Sequence, residues 1–276
     1  MGHEVFALDN LSTGKRENLD PRAKFIEVDL CDYVKMSPYF SGVDYVFHFA
    51  ALPCVSLSIE KPLETNRNNL ESTINVLLAS RDGGVKRVIY SASAAAYGAQ
   101  EESPLREDMP AAPVNPYGIQ KYAGELYVKI FYALFGLEGI ILRYFNVFGP
   151  NMTFDNAYAN VIMTFLRQKK AGAPLTIFGN GEQVRDFVYV DDVAEANLRA
   201  ALSDQVGRGE IVNIGTGRGY SVNAIADLLG GDKKYLESRR GDARTSIADI
   251  SLAKNILNWE PEVSLEEGID KIKTLY

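Results

Sequence analysis

Arg87-Val88-Ile89-Tyr90 and, further on, Asn115-Pro116-Tyr117-Gly118-Ile119-Gln120-Lys121 decide the fold. The first is a short run of β-branched and aromatic residues. The second reads as the opening of a helix, because Asn115 can cap free backbone N–H groups and Pro116 suits the first turn. The alternation recurs outward from this point. Val5-Phe6-Ala7-Leu8, Phe25-Ile26-Glu27-Val28, Tyr45-Val46-Phe47-His48-Phe49 and Ile140-Ile141-Leu142-Arg143-Tyr144 read as strands. Between them the stretches near 64–81, 117–135 and 157–170 carry apolar residues at helical spacing and are long enough for crossovers. Strands alternating with helices predict an α/β fold with a doubly wound parallel sheet. After Gly149-Pro150 the pattern loosens, and Gly172, Pro174, Gly179 and Gly181 punctuate a smaller α/β C-terminal lobe. Asp186-Phe187-Val188-Tyr189-Val190 reads as a return to the sheet. The expected organisation is one unit over 1–147 rejoined by 186–215, and a lobe over 148–185 and 216–276.

The chain of 276 residues is 46% hydrophobic and 24% charged, the balance of an ordinary globular protein able to bury a large core. Its formal charge of -7 argues against a nucleic-acid partner, which needs clustered Lys and Arg. No apolar run reaches the roughly 18 residues of a membrane helix, and no signal peptide is visible. Two cysteines, Cys31 and Cys54, are too few for a disulfide framework or a thiolate metal centre, so no metal site is expected and a reducing cytoplasm fits.

Tyr117 and Lys121 lie one turn apart on one helical face, which sets an ammonium beside a phenol. A free phenol titrates near about 10 and is a poor base at neutral pH unless a cation favours its phenolate. Lys121 and an oxidised nicotinamide would both do so, and Ser93 can bond the same substrate oxygen. A bare Tyr-x-x-x-Lys is weak evidence, because chance matches are common. In a doubly wound sheet the acid that binds a ribose ends the second strand, about 20 residues after a glycine-rich turn. Asp9, followed by Asn10, Ser12 and Gly14, suits that place, although Asp9-Asn10 also reads as a plain turn. Gly215-Thr216-Gly217-Arg218-Gly219 reads as a turn between strand and helix, and His48, in an apolar run, as a packed or cofactor-facing residue.

Taken together, ALDNLSTG at 7–14, VDL at 28–30, FHFAA at 47–51, YSASAAAYG at 90–98, NPYGIQK at 115–121, LRYFNVFGP at 142–150, VRDFVYVDDVA at 184–194 and RRGDARTSIAD at 239–249 resemble the extended short-chain dehydrogenase/reductases, specifically the NAD-dependent nucleotide-sugar epimerases. The resemblance runs nearly end to end and implies a Rossmann-like sheet binding NAD and a lobe binding a UDP-sugar. It implies Ser93, Tyr117 and Lys121 as catalytic residues. Asp9 and Asn10 would hold the adenosine ribose, Asp29 and Leu30 the adenine, and Phe49, Ala50, Ala51 and Asn69 the rest of the cofactor, with Tyr117 and Lys121. Asn146 and Arg185 would meet the diphosphate, Arg239 and Asp242 would close over the nucleotide, and Ile177 and Phe178 would lie along the uracil. Guanidinium forks suit phosphate oxygens, which agrees for the arginines. Family members commonly form homodimers through helices like those at 64–81 and 117–135.

The reaction implied is C4 epimerisation of a UDP-hexose through a 4-ketose. Ala94 and Ala95 stand where related dehydratases and decarboxylases carry an acid, which places those reactions behind. Ser246 stands where the resemblance expects a bulky residue in glucose- and galactose-restricted enzymes, and so implies that UDP-N-acetylglucosamine and UDP-N-acetylgalactosamine are also used. Cys54 stands where relatives often carry Ser. The start departs from the family: Met1-Gly2-His3-Glu4-Val5 precedes Asp9 without a glycine-rich turn, so a strand, turn and helix of about 25 residues are expected to be missing. Loss of that central strand predicts two open strand edges and an aggregation-prone or cofactor-free chain. A start codon assigned too late, a non-catalytic nucleotide-sugar-binding remnant, and another reaction of the family stand as alternatives.

Overall fold

The computed structural model describes residues 2–152, 160–238, 244–273 and 275. Strands β1 (Phe6–Asp9) and β2 (Lys24–Glu27) lead to the short helix α1 (Tyr33–Met36) and to β3 (Tyr45–His48). Helices α2 (Val55–Glu60) and α3 (Pro62–Asn66), a π-turn over Arg67–Glu71 and α4 (Ser72–Gly83) then precede β4 (Arg87–Ser93). Helix α5 (Pro116–Phe135) crosses to β5 (Glu138–Tyr144) and β6 (Asn146–Phe148). The chain continues through α6 (Val161–Lys170), β7 (Leu175–Phe178), β8 (Val184–Arg185), β9 (Phe187–Tyr189), α7 (Val190–Leu202) and β10 (Arg208–Ile214). It ends with β11 (Tyr220–Ser221), α8 (Val222–Leu229), β12 (Lys233–Leu236), β13 (Thr245–Ser246), α9 (Ser251–Leu257) and α10 (Leu265–Lys273). No described helix is long and apolar enough to cross a membrane.

Strands β10, β5, β4 and β3 form a four-stranded parallel sheet in that order. Because side chains alternate along a strand, each face meets a separate helix layer. Val88, Tyr90 and Ile141 face Val76 and Leu77 of α4 and Val128 and Phe131 of α5. Ile89, Ile140, Leu142 and Val212 face Val193, Ala196 and Ala200 of α7 and Ala253 and Leu257 of α9. Helices on both faces make the sheet doubly wound, as the sequence pattern predicts. Trp259 closes the second layer, its indole N–H donating to the Asp192 carbonyl at 2.9 Å.

Strands β1 and β2 pair in parallel with each other and with no other described strand, so β3 ends the larger sheet. Leu8, Ile26 and Val46 nevertheless pack against one cluster, which aligns β1–β2 with the face of the sheet covered by α4. On the opposite face Phe47 and Phe49 stack on each other and stay exposed. A separate core, with Phe148, Phe165, Ile177 and Ile225, sits in the C-terminal lobe. Strand β9 serves both cores: Phe187 and Tyr189 point into the lobe while Val188 points into the sheet layer. The helical period near 64–81 is real but broken by the π-turn, which periodicity alone does not reveal.

Helix α5 lies unusually close to β4. A Cβ on Gly124 would overlap the Tyr90 hydroxyl, which donates to the Lys121 carbonyl at 3.2 Å. Gly124→Ala is therefore expected to destabilise the fold by about 1–3 kcal/mol in urea denaturation. Adding Tyr90→Phe, which removes the overlapping oxygen, recovers part of that loss, and the double-mutant cycle measures the coupling.

Candidate active site

The site forms where β4 ends and α5 begins. Asn115 caps α5, accepting the Gly118 N–H at 2.9 Å, so Tyr117 sits in the first turn and Lys121 one turn on. A Cβ on Gly118 would stand 2.7 Å from the Ala95 carbonyl. Only a residue without a side chain lets the helix start lie on the turn that follows Ser93. Ser93 ends β4 and accepts the Ala95 N–H at 3.1 Å, and the Tyr117 phenol lies beside Ser93. The Tyr117 N–H is held by Ser58 Oγ of α2 at 3.1 Å. The structure thus brings Ser93, Tyr117 and Lys121 together.

Burial governs their charges. It pushes the Tyr117 phenol above its ordinary value, and the nearby Ser93 hydroxyl pulls it part of the way back. Lys121 is 3% exposed; burial brings its ammonium down to about 8, with Glu125 opposing. Its Nζ donates to the Ser91 carbonyl at 2.7 Å and lies 5.3 Å from the Tyr90 ring centre. Against the help that an ammonium lends a phenolate, the fold sets a desolvation that works against both charges. His48 is fully buried, its Nε2 2.9 Å from Thr73 Oγ1, and burial keeps it neutral down to about 3. It is a packed residue.

The tips of β1, β2 and β3 carry the other expected cofactor residues. Asp9 accepts the Leu11 N–H at 2.6 Å and Asn10 the Ser12 N–H at 3.0 Å, so the plain turn is made. The backbone at Gly14 returns so close that a Cβ there would be 3.4 Å from both Asp9 oxygens. Asp29 accepts the Cys31 N–H at 2.8 Å, Leu30 is buried, and Phe49 is 53% exposed beside the half-buried Ala50 and Ala51. A carboxylate in a glycine-bounded loop suits a ribose diol, and an exposed aromatic ring suits a flat heterocycle, so these groups fit a dinucleotide. Asn69 acts differently. Its amide accepts the Leu52 N–H at 2.6 Å and donates to the Leu52 carbonyl at 3.2 Å and to Gln120 at 2.8 Å, which makes it a brace between the loop after β3 and α5.

The expected substrate residues gather around Asp186. Asn146 donates to the Asp186 carbonyl at 2.8 Å, Arg185 precedes it on β8, and Ser246 of β13 pairs in register with Arg185. The buried Asp186 carboxylate accepts the N–H groups of Thr216, Gly217 and Ala248 and the Thr216 hydroxyl, at 2.6–3.1 Å. The 215–219 segment, expected to link a strand to a helix, instead joins β10 to the two-residue β11, which runs straight into α8. Ile177 is wholly buried in the lobe core, whereas Phe178 next to it is half-buried. Arg239 and Asp242 lie outside the described residues. Sequence reasoning passed over Asp186, Glu125, Gln120 and Ser58. For Glu125 a signal exists: a carboxylate on the apolar side of a helix needs a buried partner.

Residues 1–215 match the NAD dependent epimerase/dehydratase family. The chain belongs to that family. Among solved structures it is similar to UDP-glucose 4-epimerase from Thermotoga maritima, solved with UDP-glucose: 40% identity, TM-score 0.93, covering 99% of this chain and 90% of that one. It is similar to UDP-N-acetylglucosamine 4-epimerase from Methanobrevibacter ruminantium, solved with UDP-N-acetylmuramic acid: 36% identity, TM-score 0.91, covering 99% and 91%. A third is the Thermus thermophilus UDP-glucose 4-epimerase complex with NAD, at 33% identity and TM-score 0.90, covering 99% and 91%.

A lysine whose folded-state value lies below its unfolded one binds fewer protons when folded, so this group's contribution makes the fold more stable as pH rises from about 8 towards the ordinary lysine value of 10.5. Lys121→Met is expected to be about 1–3 kcal/mol more stable than the parent at pH 7. Its advantage should shrink across that window in pH-resolved thermal denaturation.

Proposed function

We propose that Tyr117, Lys121 and Ser93 perform the proton chemistry of an NAD-dependent C4 epimerisation of a UDP-hexose. The activity is that of an NAD-dependent UDP-sugar 4-epimerase working through a 4-keto intermediate. One observation carries the assignment of residues: a half-buried phenol beside Ser93, with a buried ammonium one turn along the same helix.

Asp9, Asn10, Asp29, Leu30, Phe49, Ala50 and Ala51 would hold NAD with Tyr117 and Lys121, and Asn69 would brace the loop they share. NAD held there would supply the hydride acceptor, and then the hydride donor, at C4 of the sugar. Tyr117 Oη takes the proton of the 4-hydroxyl and gives it back, acting as base and then acid. Ser93 bonds the same oxygen and fixes its distance from Tyr117. Lys121 favours the phenolate against the cost of burial. Asn146 and Arg185, with Arg239 and Asp242, would hold the nucleotide while the ketose turns over about its diphosphate link. Phe178 and the backbone at Ile177 would flank the uracil. Ala94 and Ala95 offer no proton for dehydration, which supports epimerisation over the other reactions of the family.

Ser246 lies one strand from Arg185, and its small side chain supports acceptance of N-acetylated hexoses as well. The organisation follows: 1–147 with 186–215 for NAD, and 148–185 with 216–276 for the nucleotide sugar. Ile119, Leu126, Ile130 and Leu134 form an exposed apolar stripe along α5, with Ile59 and Leu63 nearby on α2 and α3. We assign this face to a homodimer, because such a stripe on a surface helix is stable when covered. The acidic charge and the two reduced cysteines support a cytoplasmic protein without a nucleic-acid partner.

Tyr117→Phe is expected to lower kcat/KM about a thousandfold while calorimetry still registers UDP-sugar binding. Unchanged turnover would remove Tyr117 from the chemistry. Ser246→Tyr should depress turnover of UDP-N-acetylglucosamine about tenfold or more relative to UDP-glucose, and equal losses would refute the size argument. A Leu126→Glu, Ile130→Glu double variant should run as a monomer in light scattering.

A further inference from the structure

Behind Lys121, outside the groups that meet substrate or cofactor, lies a buried ion pair that the mechanism does not use. Glu125 follows Lys121 by one turn on α5 and is wholly buried. It receives Arg143 of β5 in a two-pronged contact, Nε to Oε1 at 2.9 Å and Nη2 to Oε2 at 2.7 Å. The Arg143 guanidinium lies 4.4 Å from the centre of the Tyr97 ring, and its Nη1 has no hydrogen-bond partner. Tyr97 in turn closes the turn that follows Ser93 and donates to Asn213 at 2.7 Å.

We infer that Glu125 and Arg143 are positioning residues: Glu125 supplies the buried counter-charge of Lys121, and Arg143 locks Glu125 while bracing the Ser93 turn through Tyr97. This rests on Tyr117 and Lys121 being the proton-handling pair. The argument is one of place and charge. Lys121 is packed among groups that do not favour an ammonium: neutral His48 on β3, the Tyr90 ring and Ser91 carbonyl on β4, and Tyr117 on its own helix. Glu125 alone among the named neighbours brings negative charge, and it opposes the effect of burial on Lys121. Burial also disfavours ionised Glu125, and the two-pronged bond from Arg143, with Lys121 and Lys129 nearby, works to keep it ionised. A purely structural pair could be replaced by apolar residues without loss, as buried ion pairs elsewhere often can. A pair that holds charge at Lys121 cannot.

The test uses the full chain without ligand and reads Lys121 directly. Lysine carrying carbon-13 at Cε is followed by NMR across pH, with the Lys121 signal assigned by its loss in Lys121→Met. The parent midpoint is expected at about 8. In Glu125→Gln it should fall by about one pH unit, and in Glu125→Asp, which keeps the charge, by less. Because Glu125→Gln removes the carboxylate that pairs Arg143 and so endangers folding, the Glu125→Gln, Arg143→Gln double variant carries the decision. A lower midpoint there supports the proposal, and an unchanged one overturns it. Because no turnover is measured, failure here is distinct from failure of the epimerase assignment, which Tyr117→Phe decides.

Discussion

Backbone contact between α5 and the end of β4 is the constraint on which the site depends. The Tyr117 phenol, the Lys121 ammonium and the Ser93 hydroxyl can lie together only if the helix carrying two of them touches the strand carrying the third. Gly118 on the Ala95 carbonyl and Gly124 under the Tyr90 hydroxyl remove the side chains that would hold the two apart. Ser58, Asn69 and Gln120 then fix the helix start from the opposite side, with Gln120 reaching Thr65 at 3.0 Å. The π-turn over Arg67–Glu71 places Asn69 in this brace. An extra residue in a helix is a common device at functional sites, because it redirects one side chain without ending the helix.

The same closeness sets the electrostatic problem. A site dry enough to hold a reacting sugar away from water is also hostile to the charges that the reaction uses. Tyr117 and Lys121 are each moved by burial towards their neutral forms. Ser93, beside the phenol, and Glu125, one turn from the ammonium, work against that drift. The fold therefore keeps a polar layer behind the reacting groups, where a simpler core would be apolar.

Much of this was legible in the sequence, for physical reasons. Strands alternating with helices are written in hydrophobic period, and the caps and glycines of NPYGIQK mark where α5 starts. The gathering of Asn146, Arg185 and Ser246 followed from motifs too, although the motifs do not reveal that the buried Asp186 carboxylate ties the neighbouring walls together. Contacts between distant segments were not legible. Glu125 and Arg143 are each an anomaly in an apolar run, but only the packing of α5 on β5 shows that they answer each other. Asn69 reads as a ligand-facing residue and turns out to be braced between Leu52 and Gln120. Ile177 sits beside a plausible contact residue, yet strand alternation turns it into the lobe core.

Strands β1 and β2 share main-chain hydrogen bonds with each other, while Leu8 and Ile26 join them to the rest through packing. An element held that way can open on its own, with a local free energy set by a few side chains rather than by the whole fold. The four-stranded sheet has no such freedom, since β4 and β5 are paired on both sides. A ligand reaching from Asp9 to Lys121 would join the most loosely tethered strand pair to the most firmly held. Its effect would then show first in the slow amide exchange of β1 and β2, as damping of their opening, before any change in the centre of the sheet.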